Sequence, residues 1–343
     1  MGPASRYAYL HGRVSLMGAR LLSETALANL SQVPADQETE LLAAGGLKPP
    51  SEEQTVGAMR SLEQRLISSL LADIVVLTRA LTGGARDFLI YWAYRFELSN
   101  LKTILRAKLY GESVATVREQ LFDMGPFARL PVDELLRTDD VTELLRRLEG
   151  TPYADIARQG RRIYDEQHEP FALDAAVDRQ YFAGLAKRSR EAEGGGDPLR
   201  TLVGNLIDRI NLLWLLRYRF AYGLPAGETY YLLIPAAYRL GGNELQRLSQ
   251  LGSFEEVIAN VPPPWGPLLE GAQSAAEVTL RLERDTWRLA RSVMARGVFT
   301  TARAFAYLLL REKELRQIRA VVKGKRLGVA PDLVREAMGL EAA

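Results

Sequence analysis

Apolar side chains recur at spacings of three and four along most of this chain, within long segments rich in Leu, Ala, Arg and Glu. That is the 3.6-residue period of amphipathic helices, and it predicts an almost entirely α-helical protein. Only Tyr230-Tyr231-Leu232-Leu233-Ile234 has a compact β-like composition, and Pro235 ends it at once. Helices are predicted over residues 56–81 ahead of Gly83-Gly84, over 175–193 ahead of Gly194-Gly195-Gly196-Asp197-Pro198, and over 275–295 ahead of Gly297. A longer helix follows each break, so each pair reads as an antiparallel helical hairpin. No stretch reaches the ~20 uninterrupted apolar residues that span a bilayer. The nearest, 66–77, is broken by Ser68, Ser69 and Asp73.

The long helices repeat one another. Residues 97–108 align without gaps with 208–219 and with 314–325. Each copy has an acid, an Asn or Gln three residues on, aliphatics at offsets four, seven and eight, and bases at nine and eleven. The starts lie 111 and 106 residues apart. That period belongs to units of domain size, not to a short solenoid repeat, and it divides the chain at 1–111, 112–224 and 225–343. Downstream, residues 130–135 resemble 240–245, and Thr151-Pro152-Tyr153 resembles Pro263-Pro264-Trp265. The third copy has no such arm before Ala343. The N-terminal region, where Glu40-Leu41-Leu42 and Pro49 echo Glu143-Leu144-Leu145 and Pro152, is the expected stand-in, which suits three units closed into a ring.

Composition narrows the chemistry. The 343 residues include no Cys and two His, His11 and His168, far apart. Disulfides, thiolate nucleophiles and Cys-rich metal sites are excluded, and Ser-His-Asp catalysis has almost no material. The acid-to-His spacing of Asp165-Glu166-Gln167-His168 occurs once, whereas di-metal bundles need it twice with further carboxylates. Gly194-Gly195-Gly196 lies between two helices instead of after a strand, and there is no P-loop. The expectation is no catalysis, no cofactor and no metal. Trp92, Trp214, Trp265 and Trp287 read as core anchors rather than stacking platforms for nucleic acid. The N-terminus lacks an apolar signal core, so a cytoplasmic location is expected.

The net charge of +2 conceals a partition. Residues 84–111, 200–223 and 300–326 carry +3, +3 and +6, leaving −10 on the rest. The repeated aliphatics fall on one helical face and are read as core. For the repeated bases two readings stand: local ion pairs that complement helix C-termini, or a common surface that attracts an acidic partner.

The segment 94–108, with its run Asn100-Leu101-Lys102-Thr103-Ile104-Leu105-Arg106-Ala107-Lys108, resembles the N-L-x-x-x-L-R-A-K helix of the C subunit of the prokaryotic V/A-type ATPases, a relative of the d subunit of the eukaryotic vacuolar ATPase. Tyr7-Ala8-Tyr9-Leu10-His11-Gly12-Arg13-Val14, Asp178-Arg179-Gln180-Tyr181-Phe182 and the segment 306–314 agree in order and spacing. Gln317 in place of Asn and the length of the loop 32–50 depart from the pattern. The resemblance implies an all-α funnel of three similar helical bundles around a pseudo-threefold axis. Its wide end would rest on the cytoplasmic face of the membrane proteolipid ring, and its socket would hold the central shaft of D- and F-type subunits. The protein would be a peripheral, non-catalytic rotor adaptor passing torque for proton or sodium transport. Arg106, Lys108, Arg217, Arg219, Lys323 and Lys325, which recur at matched positions and concentrate the positive charge, are the expected shaft contacts, with Arg326 of the same terminal cluster. The alternative is a helical scaffold that binds an acidic partner, RNA or anionic lipid through the same helices, with affinity that falls steeply in salt.

Overall fold

The computed structural model describes residues 3–32, 43, 46–47, 58–167, 170–192, 197–236, 238–297 and 300–339. Among them there is no strand. Helices run over Pro3–Gly18 (α1), Glu24–Gln32 (α2), Ala58–Thr78 (α3), Gly83–Tyr110 (α4), Val114–Gln120 (α5), Val132–Leu136 (α6), Val141–Leu148 (α7), Ala154–Gln167 (α8) and Pro170–Ala192 (α9). They continue over Asp197–Leu216 (α10), Ala226–Leu232 (α11), Gly242–Ser249 (α12), Phe254–Asn260 (α13), Trp265–Leu269 (α14), Ala275–Arg296 (α15), Thr301–Arg326 (α16) and Pro331–Ala337 (α17). A π-helical turn, Arg217–Ala221, extends α10.

Local chemistry explains several starts. Asp140 caps α7 by accepting from the Glu143 N–H at 2.8 Å, while Glu143 reaches back past the cap to the Asp139 N–H at 3.0 Å, a variant of the capping box. Ser253 with Glu256 and Ser274 with Glu277 repeat the device at α13 and α15. Helix α9 begins at Pro170, five residues before the predicted start, since a first-turn proline forfeits no helical hydrogen bond. The strand-like Tyr230–Leu232 stretch is the end of α11. There Thr229 and Leu232 are buried and Tyr231 is exposed, a helical period that composition alone did not show.

Two compact units divide the chain. One comprises Met1–Thr82, Asp123–Gly125 and Leu289–Ala343. In it α16 runs antiparallel to α3, joined by the Tyr307 hydroxyl donating to Asp73 at 2.8 Å, Arg311 to Ser69 at 2.8 Å and Arg319 to Glu63 at 3.3 Å. Leu62, Leu70, Ile74, Leu77, Phe305 and Leu308 are buried along these helices. Arg311 also meets Glu314, and its charged form is favoured: the neighbouring carboxylates outweigh a burial cost that acts the other way. Helix α17 packs Val334 against Val321 and sits so close to Gly324 that a Cβ there would lie 2.4 Å from Val334 Cγ2.

The other unit, Gly83–Phe122 with Pro126–Arg288, holds two cores. Helix α4 runs antiparallel to α9: Tyr91 stacks on Tyr181 with centroids 5.1 Å apart, Lys102 binds Asp178 at 2.8 Å and Arg106 pairs with Asp174. Helix α10 is tied to α15 by Asn205 to Asp285 at 3.3 Å and Thr286 to Asn205 at 3.0 Å. The α4–α9 and α3–α16 pairs differ from the predicted hairpins, whereas α9 and α10 pack on each other as predicted. Each repeated helix carries its polar ladder to the helix that opens the next copy, because the complementary groups, Asp174 and Asp178 or Asp285 and Thr286, stand there.

Candidate partner interface at the ends of the repeated helices

The repeated acid and amide are clamps on the chain's own backbone. Asn100 donates Nδ2 to the Phe122 carbonyl and accepts the Phe122 N–H at Oδ1, both at 2.8 Å. Asn211 does the same to Ile234, at 3.1 and 2.8 Å. Gln317 donates to the Met338 carbonyl at 2.8 Å. The acids hold a second returning segment. Glu97 accepts from the N–H groups of Arg129 and Leu130 and from the Tyr153 hydroxyl. Asp208 accepts from the N–H groups of Tyr238, Arg239 and Leu240, at 3.1, 2.6 and 3.2 Å. Glu314 accepts from the Leu22 N–H. Loop amides withdrawn from water need acceptors, and a carboxylate with several lone pairs serves two or three at once. Burial raises the Asp208 pKa above the usual carboxylate range, and the three N–H bonds offset that only in part. Glu314 is likewise raised by burial, against the pull of Arg311.

The bases separate into two sets. Those at offset eleven turn inward: Lys108 donates to the Leu136 and Thr138 carbonyls, Arg219 to those of Ser249, Leu224 and Leu251, and Lys325 to that of Leu30. Leu30, Leu136 and Ser249 lie near the ends of α2, α6 and α12, where the last carbonyls lack helical donors and the dipole favours a cation. Expected as partner contacts, these three have their charged groups engaged within their own units. The bases at offset nine, Arg106, Arg217 and Lys323, are exposed, as is Arg326. Arg106 makes its ion pair with Asp174 from an exposed position.

Helix α2 thus does for α16 what α6 does for α4 and α12 for α10. Leu22, Leu130 and Leu240 deliver their N–H to the acid, and five residues later Leu27, Leu135 and Leu245 are buried. The signal that could have found this arm, a Leu five residues before another Leu at 22, 130 and 240, stands in the sequence itself. The echo at Glu40-Leu41-Leu42 and Pro49 lies outside the described residues.

Each long helix ends alike. Gly111, Gly223 and Gly328 have φ of 70°, 70° and 65°, three residues ahead of the seven-residue helices α5, α11 and α17. Glu112 N–H bonds the Ala107 carbonyl and Val329 N–H the Gly324 carbonyl, the six-to-one closure of a Schellman turn, which a left-handed glycine permits. The second copy holds one more residue between base and glycine. The π turn absorbs it, and Leu224 N–H reaches the Tyr218 carbonyl at 2.9 Å.

Trp92, Trp265 and Trp287 are buried and Trp214 is half-buried, as anchors. Among the described residues no three His, Cys, Asp or Glu gather as a metal site, and no helix is long and apolar enough to cross a membrane. His168 and Gly194-Gly195-Gly196 lie outside the described residues. A cavity of about 790 Å³ beside α1 and α2 is lined by Arg291, Lys313 and Arg303. The first two face Glu24 at 3.9 and 3.5 Å, and Arg303 bonds Ser15 at 3.0 Å, so its cations already have partners.

Buried acid and amide clamps recur on three long helices, each with an exposed base at the same position, in a structure that is all-helical among the described residues. The chain belongs to the ATP synthase (C/AC39) subunit family, whose model matches residues 10–337. It is 25% identical to the A-type ATP synthase C subunit of Methanocaldococcus jannaschii over 96% of this chain and 85% of that one. It is also 25% identical to the A-type ATP synthase C subunit of Thermococcus kodakarensis, over 97% and 90%, and 22% identical to that of Methanococcoides burtonii, over 97% and 94%. Membership makes it a subunit of a rotary ATP synthase.

Proposed function

We propose that this subunit is the non-catalytic rotor adaptor of its complex, joining a central shaft of D- and F-type subunits to the membrane proteolipid ring and passing torque for proton or sodium transport. Three units, 1–111, 112–224 and 225–343, would stand around a pseudo-threefold axis as a funnel, peripheral on the cytoplasmic face. The observation that carries this reading is the tripled clamp. An acid and an amide on each long helix fix two returning segments, and the base at offset nine is exposed in every copy. Torque transfer needs a body that does not shear, and side chains that satisfy buried backbone groups at matched positions supply that stiffness. Of the seven bases expected at the shaft, Arg106, Arg217, Lys323 and Arg326 are the ones proposed to meet it, while Lys108, Arg219 and Lys325 hold the helix ends that present them.

The test is affinity purification of the tagged protein from detergent-solubilised membranes. Recovery of the shaft subunits together with the proteolipid supports the adaptor role. Recovery of neither, with salt-sensitive binding of RNA or anionic lipid by the isolated chain, refutes it.

A further inference from the structure

The three glycine turns share a second feature that the adaptor reading does not use. The residue just before each left-handed glycine is large, apolar or aromatic, and exposed: Tyr110 at 69%, Tyr222 at 53% and Leu327 at 68%. Nine large hydrophobic side chains are exposed among the described residues, and three of them occupy this one register. Single exposed hydrophobics are ordinary. Recurrence at one matched position in three copies of otherwise different sequence is not.

Each of these side chains stands one helical turn beyond the exposed base of its copy. Tyr110 follows Arg106 by four residues and Leu327 follows Lys323 by four, with the Leu327 N–H on the Lys323 carbonyl at 3.1 Å. In the second copy the spacing is five, which on a regular α-helix would rotate Tyr222 about 140° away from Arg217. The π turn prevents this: the Tyr222 N–H bonds the Arg217 carbonyl at 2.9 Å, the i to i−5 bond that returns residue five to the position above residue zero. The inserted residue is thus accommodated in the one way that keeps cation and aromatic stacked along the same face. Tyr222 is also steadied by Phe171, with centroids 5.1 Å apart, so it is held rather than loose.

Resting on the adaptor reading, we infer that each pair, Arg106 with Tyr110, Arg217 with Tyr222 and Lys323 with Leu327, is a docking element for a protein surface that carries carboxylates one helical turn from apolar side chains, and that this surface belongs to the shaft. An anionic bilayer fits less well. Exposed Glu112, Glu228 and Asp332 stand within a few residues of the three turns, and they would be repelled by a uniformly negative surface while a protein of mixed charge accommodates them. An apolar side chain beside a cation is the composition of a contact that both anchors and orients.

The experiment uses the full chain in its complex, tagged and purified from solubilised membranes. Tyr110→Ser, Tyr222→Ser and Leu327→Ser are made singly and together, beside Tyr110→Phe, Tyr222→Phe and Leu327→Met. The combined Ser variant is expected to keep its helical circular dichroism and its proteolipid, and to lose shaft subunits in raised salt, with each single change weakening retention about tenfold. The conservative variants should restore retention, which separates a lost contact from a lost fold. Shaft retention equal to wild type in the combined variant overturns the inference and leaves the adaptor role standing. Loss of the proteolipid with the shaft kept overturns it as well, as does wild-type binding to phosphatidylglycerol vesicles that the combined variant lacks. A wild-type preparation that recovers neither partner fails the adaptor reading itself and takes this inference with it.

Discussion

Asn100 and the backbone of Phe122 hold each other through two hydrogen bonds of equal length, 2.8 Å each way. An amide side chain carries a donor and an acceptor side by side and can meet the N–H and the carbonyl of one residue at once, and the same residue type serves Ile234 from Asn211. Asn100→Ala or Asn211→Ala leaves a backbone N–H and a carbonyl without partners, at a cost of about 2–4 kcal/mol. Gln317→Ala, which removes the single bond to Met338, should cost about half as much. Denaturant titration of the three variants should give that order; equal losses would mean the amides act through packing alone.

The two sets of bases should separate by assay. Lys108→Met, Arg219→Met and Lys325→Met strip cations from carbonyls near the ends of α6, α12 and α2 and are expected to lower stability by about 1–2 kcal/mol each. Shaft retention per folded molecule should stay unchanged. Arg106→Glu, Arg217→Glu and Lys323→Glu should do the reverse, since exposed ion pairs contribute about 0–1 kcal/mol. The decisive comparison is melting temperature against shaft content for the same six proteins.

Asp208 gives a pH prediction. Its pKa is raised in the folded state, so the native protein binds a proton more tightly than the unfolded chain does. The stability it contributes is full below the unfolded carboxylate value of about 4, and it is lost as pH rises through the folded value. In Asp208→Asn that component is absent. Wild type should therefore lose melting temperature relative to the variant as pH climbs from about 4; parallel curves would show that Asp208 titrates as it does in the unfolded chain.

Gly324→Ala should force α17 off α16, because its Cβ would lie 2.4 Å from Val334 Cγ2. Overpacking of this kind costs about 1–3 kcal/mol. Adding Val334→Ala should recover part of the loss, and a double-mutant cycle measures how much; strict additivity would place the strain elsewhere.

Residue spacing alone located much of this architecture. The acid, amide and base pattern marks the long helices, and the aliphatics at offsets four, seven and eight are core as read, with Leu101, Leu212 and Ile318 all buried. The division of labour between the bases is encoded there as well: offsets nine and eleven differ by about 200° around a helix, so two such residues cannot face one partner. What spacing could not show is which helix receives a polar ladder. Lys102 and Arg106 find their acids on α9, some seventy residues away, and no local periodicity carries that information. Tyr230–Leu232 misled for the opposite reason. Five residues of strand-like composition, Tyr230 to Ile234, are too few to display a period, and the burial of Thr229 and Leu232 decided the matter.

The clamp on the third copy has a consequence for how the protein comes to be folded. Glu314 takes the N–H of Leu22 and Lys325 the carbonyl of Leu30, contacts that span 292 and 295 residues. In the other two copies the corresponding clamps close over about 30 residues and can form while the ribosome is still at work. Helix α2 must wait for nearly 300 further residues before its receptor exists. Closure of that unit is thus a late event with a large loop entropy to overcome. A circular permutant that joins Ala343 to Met1 through a linker would shorten those two separations to about 50 residues plus the linker, and should refold faster while keeping the same set of bonds.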